Sequence, residues 1–324
     1  MVGGLYQKGD DRRDKGFYVF YIGINLGAFL GALTVGAVAA EYGWHYGFGL
    51  AGIGMAIGQI VYMYGLKFLG SVGDFIGNAG SPNKELLIKL LNKVEKDRML
   101  VMFLSFLIII VFWGAFEQAG GLMSLYTEQK TNRVLSFSLP FIGNEIPAAV
   151  CQSINAFFII VLVTAVGSFW HKWKNNGKES SSLFKMAIGV IIMAFGFFFM
   201  SKAASEVLMN GSEIAEKSAM IWLVLAYLFH TIGELCASPV ALSFITKLAP
   251  VKYASFMMGA YFAATGLGNK VAGLVGGLSE NAGDFEVFTG IAVTCTIFGF
   301  LIIALLKPLK RLTHGAEDAQ TDMA

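Results

Sequence analysis

Two acidic side chains lie inside long apolar segments of this chain, where they could exchange protons. Glu117 lies in VFWGAFEQAGG, and Glu234 lies in FHTIGELCASPVALSF. An ionised side chain in hydrocarbon costs on the order of 3 kcal/mol or more, so such residues usually have a function. A carboxyl group that alternates between a proton and a cationic partner is a proton switch. We favour this role for both residues. The alternatives are a solvated Glu117 at the membrane interface and a permanently protonated, structural Glu234.

Several neutral polar residues also lie in apolar segments and could contact a ligand. Asn25 is in FYIGINLGAFLG, and Asn155 is one turn from Gln152. Spacing leaves two interpretations open for them, which are hydrogen bonds between helices and ligand contacts. Trp113 is four residues before Glu117 and therefore shares its helix face. Pro239 is expected to free a carbonyl group and to kink its helix.

The composition indicates that these segments are membrane helices. The 324 residues are 56% hydrophobic and 14% charged, and the mean hydropathy is +0.63. Soluble domains contain about 25% charged residues. About 20 apolar residues are needed to cross the bilayer as a helix. The sequence therefore predicts an all-α membrane protein with eight transmembrane helices, at residues 17–40, 44–66, 99–124, 146–170, 184–203, 219–246, 254–277 and 286–306.

The basic residues predict the orientation of these spans. Of the 24 lysines and arginines, 19 fall in segments that are cytoplasmic if residues 1–16 are cytoplasmic. The four in the opposite segments are Lys130, Arg133, Lys202 and Lys217. Positive charge favours the cytoplasmic side, so both ends of this chain are expected there. The remaining basic residue, Lys270, lies in a predicted span and could either pair with an acid or extend its side chain to the interface.

The long loop at residues 67–98 contains NKELLIKLLNKVEKDR, in which leucines recur at helical spacing. We expect an amphipathic helix that lies on the membrane surface, and the alternative is a partner-binding segment. The pattern of side chains contains no catalytic set, no phosphate-binding loop, no metal framework and no basic aromatic stripe for nucleic acid. We therefore predict that the protein is not an enzyme and uses no cofactor.

Five segments resemble motifs of the proton-dependent oligopeptide transporter (POT, or PTR) family of the major facilitator superfamily. In chain order they are GDDRRDKGFYVFYIGINLGAF, FWGAFEQAG, IPAAVCQSINAFFII, GELCASPVALSFITKLAP and SFMMGAYFAATGLGN. They resemble the family's helices five, seven, eight, ten and eleven. The resemblance thus implies a partial fold, with a complete C-terminal six-helix half and the last two helices of the N-terminal half.

The resemblance also implies a domain division and a truncated chain. The expected parts are residues 1–66, which end the N-terminal half, a linker at 67–98, a C-terminal half at 99–307 and a tail at 308–324. The family's helix-one motif, its tyrosines of helices one and two and its helix-four lysine have no counterpart here. We expect Met1 to be an internal methionine of a longer protein.

By the same resemblance, Asn25 and Asn155 would hold the peptide backbone or termini. Glu234 would face the peptide's amino terminus, and Ser238 would line the cavity. Glu117 would belong to the proton-coupled gate. Tyr261 stands where the family usually has a pocket tryptophan, so the side-chain pocket is expected to differ.

We expect the protein to carry out proton-coupled symport of di- and tripeptides by alternating access in the cytoplasmic (inner) membrane. Small peptides and the lipid bilayer are the expected partners, and protons are the coupling ion. Substrate-binding residues are predicted to be Asn25, Trp113, Asn155, Glu234, Ser238 and Tyr261, and proton-coupling residues to be Glu117 and Glu234. The alternatives are symport of another small anion or peptide-like metabolite, and a non-transporting membrane scaffold of the same fold.

Overall fold

The computed structural model describes residues 12–70, 91–139, 143–209, 217–250 and 253–316. The long apolar runs form helices here, because a helix satisfies its own backbone hydrogen bonds in lipid. The α-helices are α1 Arg12–Tyr42, α2 Trp44–Leu69, α3 Lys93–Phe116, α4 Leu122–Lys130, α5 Ala148–Cys151, α6 Ser153–Asn175, α7 Ser182–Met209, α8 Met220–Leu248, α9 Ala254–Ala282, α10 Asp284–Ala304 and α11 Leu306–Thr313. The strands are β1 Thr131–Asn132, β2 Val134–Leu139, β3 Gly143–Glu145 and β4 Ser218–Ala219.

The predicted all-α membrane class is confirmed. Within the described ranges, seven helical segments are long and apolar enough to cross a bilayer, so the protein is a multi-pass membrane protein. They are Ile22–Tyr42, Trp44–Leu69, Lys93–Lys130, Ala148–Asn175, Ser182–Val207, Met220–Ile245 and Asp284–Ala304. The predicted span at 254–277 forms the 29-residue helix α9. This helix is not among the seven, so the count of eight stays a prediction.

The chain divides into two compact units. One contains residues 1–83 and 133–160, and the other contains residues 84–132 and 161–324. The domain division expected from the family resemblance stays a prediction. Most of the loop that was expected to form an amphipathic helix, residues 71–90, lies outside the described residues.

In the first unit, a glycine allows α1 and α2 to approach closely. A Cβ atom on Gly47 would lie 2.9 Å from the Ala39 Cβ and 3.1 Å from the Val35 carbonyl oxygen. After α4, the chain forms an antiparallel hairpin of β2 and β3. Arg133 forms an ion pair with Glu145 across its base, with 3.2 Å between Nη2 and Oε1. Hydropathy did not predict this hairpin.

In the second unit, two glycines bring α7 and α8 into backbone contact. A Cβ on Gly189 would lie 2.7 Å from the Gly233 carbonyl oxygen, and a Cβ on Gly233 would lie 2.6 Å from the Gly189 carbonyl oxygen. Gly299 of α10 similarly makes room for Ile191 of α7. Lipid is as apolar as a helix surface, so close packing rather than the hydrophobic effect holds such helices together.

Hydrogen bonds hold the short helix α11 against the start of α3. Asn92 and Glu95 form a capping box at the first turn of α3, with two hydrogen bonds of 2.8 Å. The Arg98 Nε donates to the Thr313 carbonyl oxygen at 3.1 Å, and Asp97 lies 2.7 Å from His314. These contacts attach the end of the described chain to the helix that carries Trp113 and directly precedes Glu117.

The reciprocal glycine contact predicts a steric effect of a single methyl group. We expect Gly233→Ala to destabilise the protein by about 1–3 kcal/mol, because the backbones of α7 and α8 must move apart. Thermal unfolding of the purified protein in detergent would measure the change. The matched control is Gly290→Ala in α10, where no atom lies within 4 Å of the new methyl group. Equal midpoints for the two variants would contradict the close contact.

Candidate functional site

Glu117 lies where the predicted third span is interrupted. Helix α3 ends at Phe116, and a 3₁₀ turn follows at Glu117–Ala119. The backbone N–H groups of Gly120 and Gly121 both donate to the Glu117 carbonyl oxygen, each at 3.2 Å. Helix α4 then begins at Leu122. The half-buried Glu117 side chain therefore extends from a break between two helices and not from a continuous span.

Gln118 connects this break to α9. Its buried side-chain amide donates to the carbonyl oxygens of Gly114, at 3.2 Å, and of Ala272, at 2.9 Å. Gly268 of α9 packs against the same helix, since its Cβ would lie 2.7 Å from the Trp113 Cβ. The sequence pattern around Gln118 predicted no role for this side chain. Its partner on α9 is distant in sequence and could not be identified from spacing.

The structure brings together three of the predicted substrate residues. Trp113 of α3, Ser238 of α8 and Tyr261 of α9 line one small cavity. Its volume is about 10 Å³, which is room for one water molecule at most. Tyr261 is buried, and Trp113 and Ser238 are half-buried. These residues therefore form a cluster whose polar groups come from three different helices.

Glu234 lies one helical turn before Ser238 on α8, so the two side chains share a face. Its side chain is half-buried. Helix α8 is continuous from Met220 to Leu248, so Pro239 does not end it. A carboxyl group and a hydroxyl group on one face of α8 can offer both charge and hydrogen bonding to a polar ligand.

His230 lies one turn before Glu234 but belongs to the packing between α7 and α8. Its side chain is fully buried, and its ring centroid lies 4.5 Å from that of Phe197. Neither ring nitrogen has a hydrogen-bond partner among the described residues. The ring occupies the space left by Gly196, whose Cβ would lie 2.3 Å from the His230 Cδ2.

Two further predicted residues belong to the first unit. Asn25, which is 7% exposed, lies on α1, and the half-buried Asn155 lies on α6, both in the first unit. Lys270 is exposed on α9 and has no ion pair within the described part of the chain. In the same part of the chain, no three histidine, cysteine, aspartate or glutamate residues are grouped as metal ligands.

Comparison with known proteins identifies related sequences over nearly the whole chain. The model of the POT family (PTR2) matches residues 1–97 and 83–289. A peptide transporter of Yersinia enterocolitica is 30% identical, and the alignment covers 99% of this chain and 73% of that protein. A di-/tripeptide transporter of Lactococcus lactis is 28% identical, over 96% of this chain and 72% of that protein.

Solved structures share the fold. A glutamate-to-glutamine mutant of a peptide transporter in complex with alafosfalin superposes with a TM-score of 0.79 at 27% identity. The match covers 96% of this chain and 70% of that one. The same mutant without that ligand gives a TM-score of 0.78 at 26% identity.

The two hydrogen bonds of Gln118 predict a measurable contribution to stability. We expect Gln118→Leu to destabilise the protein by about 1 kcal/mol, the usual size of a hydrogen bond between membrane helices. Gln129→Leu, at an exposed position of α4, is the matched control. Chemical unfolding in detergent would compare them. A Gln118→Leu variant as stable as the control would show that the link between α3 and α9 contributes nothing.

Proposed function

Because this chain belongs to the POT family, we propose that it is a proton-coupled symporter of di- and tripeptides that works by alternating access. The family match extends over most of the chain, and the aligned relatives include peptide transporters of two bacteria. The observation that carries the proposal is the position of Glu234. This carboxyl group lies one turn from Ser238, which lines a cavity with Trp113 and Tyr261.

A zwitterionic peptide presents an amino group, a carboxylate and a backbone amide at nearly fixed spacing. In our proposal Glu234 binds the amino terminus, and Asn25 and Asn155 hydrogen-bond the backbone or termini. Ser238, Trp113 and Tyr261 contact the adjoining side chain. Burial of unpaired polar groups is costly, so a molecule that lacks one of these groups binds less well.

Protons supply the driving force, and we propose Glu117 and Glu234 as the groups that carry them. A proton that crosses a potential of 100 mV releases about 2.3 kcal/mol, enough for a roughly fiftyfold accumulation of substrate. The helix break at Glu117 supports a gating role, since the 3₁₀ turn and Gly120–Gly121 can change backbone geometry more easily than a continuous helix. Transport of this kind needs no covalent catalysis and no cofactor besides the proton.

We further propose that α9 is the eighth span. Its 29 residues extend about 43 Å, more than the hydrocarbon thickness of about 30 Å. Asn269, Lys270 and many small residues lower its hydropathy, but its close packing on α3 supports a place in the bundle.

With eight spans, the excess of basic residues in alternate loops supports cytoplasmic positions for both ends of the chain and an inner-membrane location. We also propose the domain division that the family resemblance implies. Residues 1–66 end the N-terminal half, residues 67–98 form a linker, residues 99–307 form the C-terminal half and residues 308–324 form a tail.

The proposal predicts that the charge of Glu234 is required for uptake. We expect Glu234→Gln to reduce proton-driven uptake of a labelled dipeptide at least about a hundredfold, because a neutral amide cannot pair with the peptide's amino group. Glu286→Gln, at an exposed position of α10, is the control for loss of one carboxylate. Both variants would be prepared in two forms and reconstituted in proteoliposomes. One form is the 324-residue chain, and the other also contains any residues encoded in frame before Met1.

These assays also test the alternatives. If the unmodified protein transports the dipeptide in one of these forms, normal uptake by the Glu234→Gln variant of that form would contradict the binding role of Glu234. A properly folded protein that transports no peptide in either form would favour a scaffold function. The tyrosine at position 261, where the family usually has a pocket tryptophan, favours a second candidate, a small anion or peptide-like metabolite, as substrate. Competition of unlabelled metabolites with the labelled dipeptide would distinguish the two substrates.

Glu117 and Glu234 are predicted to fail in different ways. We expect Glu117→Gln to lose accumulation driven by a pH gradient but to retain exchange of labelled for unlabelled peptide, because exchange needs no net proton movement. Counterflow and gradient-driven uptake would be measured on the same proteoliposomes. Loss of both activities, with normal peptide binding, would place Glu117 outside the proton-coupling step.

A further inference from the structure

An apolar groove lies on the second unit, away from the cluster of Trp113, Ser238 and Tyr261. Its volume is about 450 Å³, within the range of sites that hold small ligands. Helix α6 contributes three aromatic rings, and α7 and α8 form the other sides. The principal lining residues are Phe169, Trp170, Trp173, Phe184, Ile188 and Ile232.

The polar atoms of the two indoles are already hydrogen-bonded within the protein. Trp170 Nε1 donates to the Cys236 Sγ at 3.3 Å, and Trp173 Nε1 donates to the Glu179 carbonyl oxygen at 2.8 Å. These bonds fix the rings, whose centroids are 6.2 Å apart. The groove therefore offers hydrocarbon contact and almost no hydrogen bonding, which suits an acyl chain.

Positive charge is concentrated at one end of the groove. Lys172 and Lys174 lie in the last turn of α6 and are exposed, without an ion pair among the described residues. In the following loop, the Lys178 Nζ lies 4.2 Å from the Trp173 ring centroid. The Lys185 Nζ lies 5.5 Å from the ring centroid of Trp170. The rings that line the groove are thus next to ammonium groups.

The acid in this loop does not neutralise these lysines. Glu179 forms an ion pair with Lys310 of α11 at 2.7 Å and accepts a hydrogen bond from the Ser181 N–H at 2.9 Å. Burial raises the pKa of Glu179, but the hydrogen bonds from Lys310 and Ser181 outweigh it, so the pKa lies below its ordinary value. The carboxylate is therefore charged at neutral pH and is already paired with Lys310 of α11.

We propose that this groove binds one anionic glycerophospholipid. An acyl chain lies along the aromatic rings, and the phosphate headgroup lies among Lys172, Lys174 and Lys178. Lysines at a helix C-terminus also interact favourably with the helix dipole, and that role alone would give no preference between lipids. The lysines beside this tryptophan-lined apolar groove complement a negatively charged headgroup. This complementarity selects an anionic lipid over a zwitterionic one.

Native mass spectrometry of the detergent-purified chain would test this site, with phosphatidylglycerol and phosphatidylcholine of identical acyl chains. We expect phosphatidylglycerol to be retained about tenfold more, since each lysine contributes to attraction of an anionic headgroup. The triple variant Lys172→Gln, Lys174→Gln, Lys178→Gln should remove this preference. The variant Lys93→Gln, Lys96→Gln, Lys307→Gln loses the same charge at exposed positions elsewhere and should keep it.

The apolar half of the site has its own test. Ala165→Phe fills the groove and should lower retention of both lipids, whereas Ser168→Phe adds the same ring to an exposed position of α6 outside it. Soluble glycerol phosphate should not displace the retained phosphatidylglycerol, because it has no acyl chain.

The proposal is overturned by equal retention of the two lipids by the unmodified protein, a measurement that needs no variant. Displacement by glycerol phosphate would indicate a site for free phosphate instead. A change of oligomeric state in Ala165→Phe without a change in lipid retention would indicate a second copy of the chain. None of these measurements uses transport, so they are independent of the proposed symport.

Discussion

Close contact between α3 and α9 determines the geometry of the candidate site. The Gly268 Cα lies so near Trp113 that any larger residue would collide with it, and Gly114 similarly makes room for Val271. Gln118 then joins the two helices through the Ala272 carbonyl oxygen. In a bilayer, apolar side chains gain little by leaving lipid for protein, so small residues and a few hydrogen bonds decide which helices meet. Trp113 and Tyr261 line one cavity because their helices meet in this way.

The sequence predicted the helices well, because the thickness of the bilayer imposes their length. Trp113 was singled out by its spacing from Glu117, and Ser238 and Tyr261 through family motifs; the structure places these three residues around one cavity. The helix break at Glu117 was missed. Apolar residues continue on both sides of Glu117, and glycine is frequent in membrane helices, so Gly120 and Gly121 did not indicate a helix end. The roles of the site residues stay predictions.

Other features could not be predicted because they depend on contacts distant in sequence. The bond from Gln118 to Ala272 spans 154 positions, and the β1–β4 pair joins Thr131 to Ser218. For helix α9, the difficulty lies in the composition of the helix itself and not in distant contacts. Its glycines and polar residues permit packing on α3, but the same residues lower the hydropathy by which spans are recognised. The span predicted at 254–277 therefore stays a prediction.

The small cavity places a constraint on any transport cycle. Its lining comes from α3 and α9, which close glycine contacts hold together, and from α7 and α8, which a second pair of glycines joins. A volume of about 10 Å³ cannot admit a peptide side chain. Separation of helices within either pair would break backbone-distance packing, which costs more than displacement of side chains between the pairs. In the proposed transport cycle, this cavity therefore enlarges most easily if the α3–α9 pair moves as a body relative to α7 and α8. Ser238 would then move away from Trp113 and Tyr261, and Glu234, one turn from Ser238, would move with it.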